Sequence, residues 1–341
     1  MVCYHPIKAF MYWPDGSLKP EFVFQSVDKE YTIYHKKKLT DYKLIKCGKC
    51  IGCQMDRSRE WANRMVHELQ YHDCASFVTL TYSEDYVPFS DIADGDGEYH
   101  QTLRKKDLQD FLKRLRKQIA PIKIRFFACG EYGGKTHRPH YHLIIFGYNF
   151  PDRSVWETRR GNIFYRSPLL ERVWSDPVTH ETKGFCEVSD VNWNTCAYVS
   201  RYCTKKVAPG HNIYYQTLGI EPEFNTMSRR PGIGRQWYED NKKQLYIKSE
   251  SPDGVIEVNN PRIFLTNFSG GLECSPPKYY DRLFEEDNPE AMELIKKNRE
   301  VIARTELENK MRDNSMSMAD MLNAEERKFI EKVAIMKRER I

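Results

Sequence analysis

Apolar residues repeat with two periods along this chain, and the switches between those periods lay out its elements. Over residues 56–69, Trp61, Met65 and Leu69 recur every fourth position with Arg57, Arg59 and Arg64 interleaved, which predicts an amphipathic helix. Residues 107–120 predict a second. Leu108, Phe111, Leu112, Leu115 and Ile119 form one stripe, and Lys113, Arg114, Arg116 and Lys117 load the other faces. Between these helices, residues 75–82 carry the Phe, Val and Thr content of a buried strand. Residues 122–131 and 140–147 read as two more strands. The short loop between them, with two glycines, predicts an antiparallel hairpin. Residues 195–206 read as a helix.

The remaining segments set boundaries. Residues 1–55 alternate short apolar and polar runs and hold four of the ten cysteines. Residues 83–101 read as a loop with six acidic side chains and no Lys or Arg. Residues 228–235 (SRRPGIGR) are basic and punctuated by Gly and Pro, and the Pro276-Pro277 pair marks a break. From Pro289 onward there is no Gly, and Glu, Lys, Arg, Ala and Met dominate, which predicts two or three helices. The expected organisation is therefore an N-terminal Cys-containing segment (1–55), a central domain (56–275) and a helical C-terminal extension (276–341).

Composition narrows the class. Of the 341 residues 40% are hydrophobic and 30% charged, enough for a sizeable core and against wholesale disorder. No apolar run approaches the about 18 residues a membrane span needs. The N-terminus lacks the basic start and apolar stretch of a secretory signal, so a soluble intracellular protein is expected. A net charge of +5 permits a nucleic-acid partner without requiring one.

Two clusters carry candidate chemistry. In a strand, residues two apart share a face, so His140 and His142 project together while Tyr141 projects away. Hairpin pairing sets Glu131 opposite one of them. Two imidazoles and a carboxylate on one face suit a divalent cation; the plainer reading is two surface histidines and a turn glutamate. On the helix at 195–206, Tyr198 and Tyr202 stand four apart, with Lys205 on the same stripe. That stripe is either a half-buried helix face or a pair of nucleophiles with a cation for phosphate.

The N-terminal cysteines form the other cluster. Cys47, Cys50 and Cys53 are spaced CxxCxxC, and Cys3 completes the four ligands a structural zinc takes. Buried free thiols remain open, as does an iron–sulfur run, although the Cys-Pro that closes such runs is absent. A Gly-Gly-Lys-Thr sequence at 133–136 lacks the upstream Gly of a phosphate loop, since Cys129 stands there.

The His140-Tyr141-His142 strand with Tyr198, Tyr202 and Lys205 resembles the metal and tyrosine motifs of the HUH endonuclease superfamily, and residues 77–82 are similar to its first motif. The tyrosine pair resembles that of two-tyrosine rolling-circle replication initiators. The cysteine cluster and residues 227–234 look more specifically like the initiators of small single-stranded-DNA bacteriophages of the gokushovirus branch of the Microviridae. The family usually places a bulky aliphatic residue where Tyr141 stands.

The resemblance implies an α+β core with an antiparallel sheet and helices on one side. It implies an enzyme that nicks single-stranded DNA at a viral origin by tyrosine attack, with Tyr198, Tyr202 and Lys205 catalytic and His140, His142 and Glu131 holding Mg²⁺ or Mn²⁺. A 5′-phosphotyrosine link, host helicase and polymerase partners, and action in the bacterial cytoplasm follow from it. The alternative is a non-catalytic single-stranded nucleic-acid-binding protein with a structural zinc at Cys3, Cys47, Cys50 and Cys53.

Overall fold

The computed structural model describes residues 3–134, 136–159, 161–205, 211–251, 256–267, 270–312 and 316–338; at 202–205, 211–212, 265–267, 270–272 and 334–338 it describes backbone only. The chain forms two compact units, Met1–Asp56 with Glu293–Ile341, and Arg57–Met292.

The smaller unit opens with short strands, as the alternation over residues 1–55 requires. They are β1 (Ile7–Tyr12), β2 (Glu21–Ser26), β3 (Thr32–Tyr34), β4 (Lys37–Leu39) and β5 (Tyr42–Ile45). β1 lies between β2 and β5, and β3 pairs with β4, every pairing antiparallel. Helix α1 (Ile51–Leu69) leaves this unit and enters the larger one. It starts five residues before the helix predicted from position 56, because Cys50, Gly52 and Cys53 hide the apolar period at its first turn.

The larger unit continues with β6 (Ala75–Thr81), α2 (Lys105–Gln118), β7 (Arg125–Tyr132), β8 (Pro139–Phe146), β9 (Ser154–Arg159), β10 (Asn162–Arg166), α3 (Pro168–Val173), β11 (Cys186–Asp190) and α4 (Trp193–Lys205). Then follow α5 (His211–Thr217), β12 (Phe224–Met227), α6 (Arg235–Tyr246), the two-stranded ribbons β13 (Ile247–Glu250) with β14 (Ile256–Val258) and β15 (Ile263–Asn267) with β16 (Gly270–Cys274), and α7 (Lys278–Asp287). Helices α8 (Pro289–Arg312) and α9 (Met318–Arg338) close the chain. Among the described residues, no helix is long and apolar enough to cross a membrane.

Seven strands form one sheet in the order β12-β7-β8-β6-β11-β10-β9, antiparallel throughout. The expected α+β class with an antiparallel sheet holds. Helices on one side do not: both faces are covered. Strand β8 shows why, because it is apolar in both parities. Tyr141, Leu143 and Ile145 pack with Leu108, Phe111 and Leu115 of α2 and Leu170 of α3, whereas Ile144 and Phe146 pack with Met65 of α1 and Cys196 and Val199 of α4. Each large side chain so buried contributes roughly 1.5–3 kcal/mol. Four of the seven strands, β9 to β12, escape the sequence reading. Every residue of β9 is exposed, so it has no apolar alternation to reveal it.

Candidate active site and metal centre

The sheet register brings the hairpin residues together. Glu131 of β7 pairs directly with His140 of β8, and Thr81 of β6 pairs with His140 from the other side. One step along, Glu187 of β11, Thr79 of β6, His142 of β8, Cys129 of β7 and Asn225 of β12 stand side by side across five strands. Paired residues on neighbouring strands face the same way, so these polar groups share the face covered by α1 and α4. Tyr141 points to the opposite face and is wholly buried.

His142 is the centre of this row. Its Nε2 lies 2.8 Å from Glu131 Oε1, and its Nδ1 lies 3.2 Å from Thr79 Oγ1. The carboxylate only accepts, so Nε2 donates to it and Nδ1 accepts from the Thr79 hydroxyl. A hydroxyl also accepts, so Thr79 serves the other tautomer equally well. Phe77 stacks on the ring, with centroids 5.6 Å apart and planes 7° from parallel. The Tyr198 ring meets it edge-on, at 5.1 Å and 85°. The His140 ring stands 5.9 Å away. Gly133 in the hairpin loop approaches His140 so closely that a Cβ there would lie 2.9 Å from its Cε1.

Helix α4 positions Tyr198. Cys196, Ala197, Val199 and Ser200 are buried, and Ser200 Oγ lies 2.8 Å from Ser58 Oγ of α1. That anchoring leaves Tyr198 at the rim, 39% exposed and reachable from outside. Tyr202 and Lys205 follow on the same helix, but their side chains lie outside the described residues.

The donor chemistry of His140, His142 and Glu131 fits a hard divalent cation. The 2.8 Å between His142 Nε2 and Glu131 Oε1 is close to the about 3 Å edge of an octahedral shell with 2.0–2.1 Å bonds. Glu187 lies beyond Thr79 on the same face. Burial raises its carboxyl above the usual range, although Arg159 approaches to 3.2 Å.

Sequence reading missed Thr79, Phe77, Gly133 and Glu187. A period-2 reading of residues 77–81 puts Phe77 and Thr79 on one face. What it lacks is the β6–β8 register that sets Thr79 against His142.

In the smaller unit, the Sγ atoms of Cys3, Cys47, Cys50 and Cys53 all lie within 4.8 Å of one another, and this set can hold a metal ion such as zinc. Cys50 Sγ stands 3.9 Å from Cys3 Sγ, matching the about 3.8 Å edge of a tetrahedron with 2.3 Å zinc–sulfur bonds. Backbone N–H groups point at the sulfurs: Cys47 N–H donates to Cys3, Lys49 and Cys50 N–H to Cys47, and Tyr4 N–H to Cys50. Gly48 makes that turn possible with φ of 73°. Burial pushes the Cys3 thiol up, and the Cys53 thiol up to about 11. Burial opposes ionisation of Cys47 as well, but the N–H groups of Cys50 and Lys49 hold it at about 7. His5, also upstream, turns instead to Glu326, with Nε2 2.6 Å from Oε2.

Residues 75–207 match the family of the replication-associated protein ORF2. The chain is 28% identical over 292 residues to the replication-associated protein ORF2 of Spiroplasma virus 4, covering 84% of this chain and 82% of that protein. It is 29% identical over 252 residues to the replication-associated protein VP4 of Bdellovibrio phage phiMH2K, covering 72% of this chain and 68% of that protein. Over 208 residues it is 29% identical to the replication-associated protein ORF4 of Chlamydia phage 1, covering 59% and 47%. No solved structure matches. The matched segment begins with β6 and ends just beyond α4, and so contains every residue of the candidate catalytic row. The chain is a relative of phage replication-associated proteins, and the resemblance to rolling-circle replication initiators is borne out.

Proposed function

We propose that this relative of phage replication proteins is the endonuclease that opens rolling-circle replication, nicking single-stranded viral DNA at the origin. The observation that carries the reading is the edge-on placement of Tyr198 against His142, whose Nε2 shares a hydrogen bond with buried Glu131. A phenol with an ordinary pKa of about 10 is a poor nucleophile unless the phosphate is activated. His140, His142 and Glu131 would hold Mg²⁺ or Mn²⁺, which stabilises charge developing on the scissile phosphate.

The Tyr198 oxygen bonds to phosphorus and loses its proton. The bond from phosphorus to the 3′-oxygen breaks, and that oxygen takes up a proton. The 5′-phosphate stays on the tyrosine, and the free 3′-OH primes the host polymerase. Bond energy is retained, so a later 3′-OH reverses the step and rejoins the strand. Tyr202, one turn further along α4, attacks the newly copied origin while Tyr198 holds the old end. Lys205 supports the phosphate. The host replication helicase opens the duplex ahead, in the bacterial cytoplasm. In the smaller unit, zinc on Cys3, Cys47, Cys50 and Cys53 is structural.

Incubation with labelled origin-derived strands and Mn²⁺ tests the reading. A covalent adduct mapping to Tyr198 or Tyr202 is expected. Absence of an adduct on every origin strand would favour a non-catalytic nucleic-acid binder.

A further inference from the structure

A cavity of about 1080 Å³ opens in the larger unit beside the hairpin loop. Its walls include Phe89 and Tyr99 from the loop after β6, and Tyr214 and Tyr215 from α5. Phe89, Tyr99 and Tyr214 are 46%, 58% and 48% exposed, so three aromatic rings in one concavity offer surface to a ligand. Gly133 and Gly134 form the wall toward the candidate catalytic row. Gly133 touches both sides: it lines the cavity, and its missing side chain leaves the space that the His140 ring takes.

The lining chemistry selects the occupant. The described lining residues include no Lys or Arg, which argues against a phosphate inside. They do include His100, Gln101 and Glu223, hydrogen-bonding groups among aromatic faces. The acidic loop does not fill the cavity with unpaired charge at its nearest points, because Asp94 is held by His100 at 2.6 Å and Asp91 by Arg104 at 2.8 Å. A neutral, flat, polar-edged group fits such walls, and it must belong to a molecule whose anionic part lies outside at the metal-type residues.

We infer that this cavity takes an unstacked base of the single-stranded DNA, the one flanking the scissile phosphate, with Tyr99 and Tyr214 as stacking platforms. This deepens the nicking reading and rests on it. The wall shared through Gly133 means that a strand with its phosphate at His140 directs a neighbouring base into the cavity. Stacking of this kind tolerates many bases and adds affinity base by base. The cavity would thus fix the register in which the scissile phosphate meets Tyr198.

The test reads binding apart from chemistry, by fluorescence anisotropy of labelled origin strands without added divalent ion. Tyr99→Ala and Tyr214→Ala are each expected to raise Kd about tenfold. Tyr99→Phe keeps the ring and is expected to bind like wild type. A scan of single abasic sites is expected to weaken wild-type binding most at one position, and that position is expected to fall silent in Tyr214→Ala. Wild-type affinity in both alanine variants, or an abasic profile identical in wild type and variant, would overturn the inference. Wild-type adduct formation alongside such unchanged binding sinks the cavity alone. A position-specific binding loss without any adduct sinks the nicking reading instead.

Discussion

His142 depends on Thr79 for its orientation, and this dependence can be measured. Thr79 Oγ1 lies 3.2 Å from Nδ1, the nitrogen that does not face Glu131. Partners of this kind are worth about 10–100-fold in metal affinity when removed. Thr79→Val is therefore expected to shift the Mn²⁺ titration of adduct formation upward by at least about tenfold, with the yield recovered at saturating metal. An unchanged titration would show that Thr79 plays no part in holding the ring. His142→Ala and Glu131→Gln are expected to abolish the adduct at any metal concentration while DNA affinity stays within a few-fold, because affinity comes mostly from phosphate contacts. Equal loss of binding and adduct would mark both residues as structural. Gly133 adds a steric test. A methyl group there lies 2.9 Å from His140 Cε1, so Gly133→Ala is expected to displace the ring and depress adduct formation while the circular dichroism spectrum stays that of the wild type.

At the scale of elements, helix α4 turns spacing into chemistry. Tyr198 and Tyr202 stand one turn apart, about 5.4 Å along the axis. Tyr198→Phe and Tyr202→Phe each remove only a hydroxyl, and each single variant is expected to link one supplied strand through the remaining tyrosine. The double variant is expected to form no adduct, and full replication is expected to fail in each single variant. An adduct mapped by mass spectrometry to any other residue refutes the assignment. The β7–β8 hairpin and α4 were legible beforehand because their apolar periods are strong and local. The hairpin even predicted Glu131 opposite one of the two histidines, and the register sets it against His140. The contributions of β6 and β11 to the row were not legible, because Thr79 and Glu187 reach His142 only through pairings between strands far apart in sequence. The cover on both faces was written in β8, but a run apolar in both parities does not say which helices supply each layer.

At the scale of the molecule, the two units carry different sensitivities. In the larger, His67 is 2% exposed, stacked on Trp237 with centroids 3.7 Å apart, and hydrogen-bonded to the Tyr280 hydroxyl at 2.9 Å. Burial pushes its imidazole down to about 3. The unfolded chain binds a proton there below about pH 6.5 that the folded chain refuses, so this stability is complete above that pH and drains as pH falls toward 3, by on the order of 4 kcal/mol in all. His67→Gln is expected to flatten the fall in denaturant midpoint between pH 7 and 4.5; a parallel fall in both proteins would refute this. In the smaller unit, sensitivity is to metal. All four cysteines precede Arg57, where the larger unit begins, whereas His140, His142, Glu131 and Tyr198 lie inside that unit. Without an ion, four clustered sulfurs must stay protonated or repel one another, so metal binding and folding of residues 1–56 are linked. A zinc-selective chelator is therefore expected to release about one zinc per chain, to make Cys3, Cys47, Cys50 and Cys53 reactive to a thiol probe, and to speed proteolysis before residue 57. With Mn²⁺ then supplied, adduct formation is expected to persist, because none of its proposed groups belongs to the smaller unit. Protein purified without zinc and with these four thiols already reactive would show that the cluster folds as free cysteines. Loss of the adduct together with the zinc would show that the two units are not independent in function.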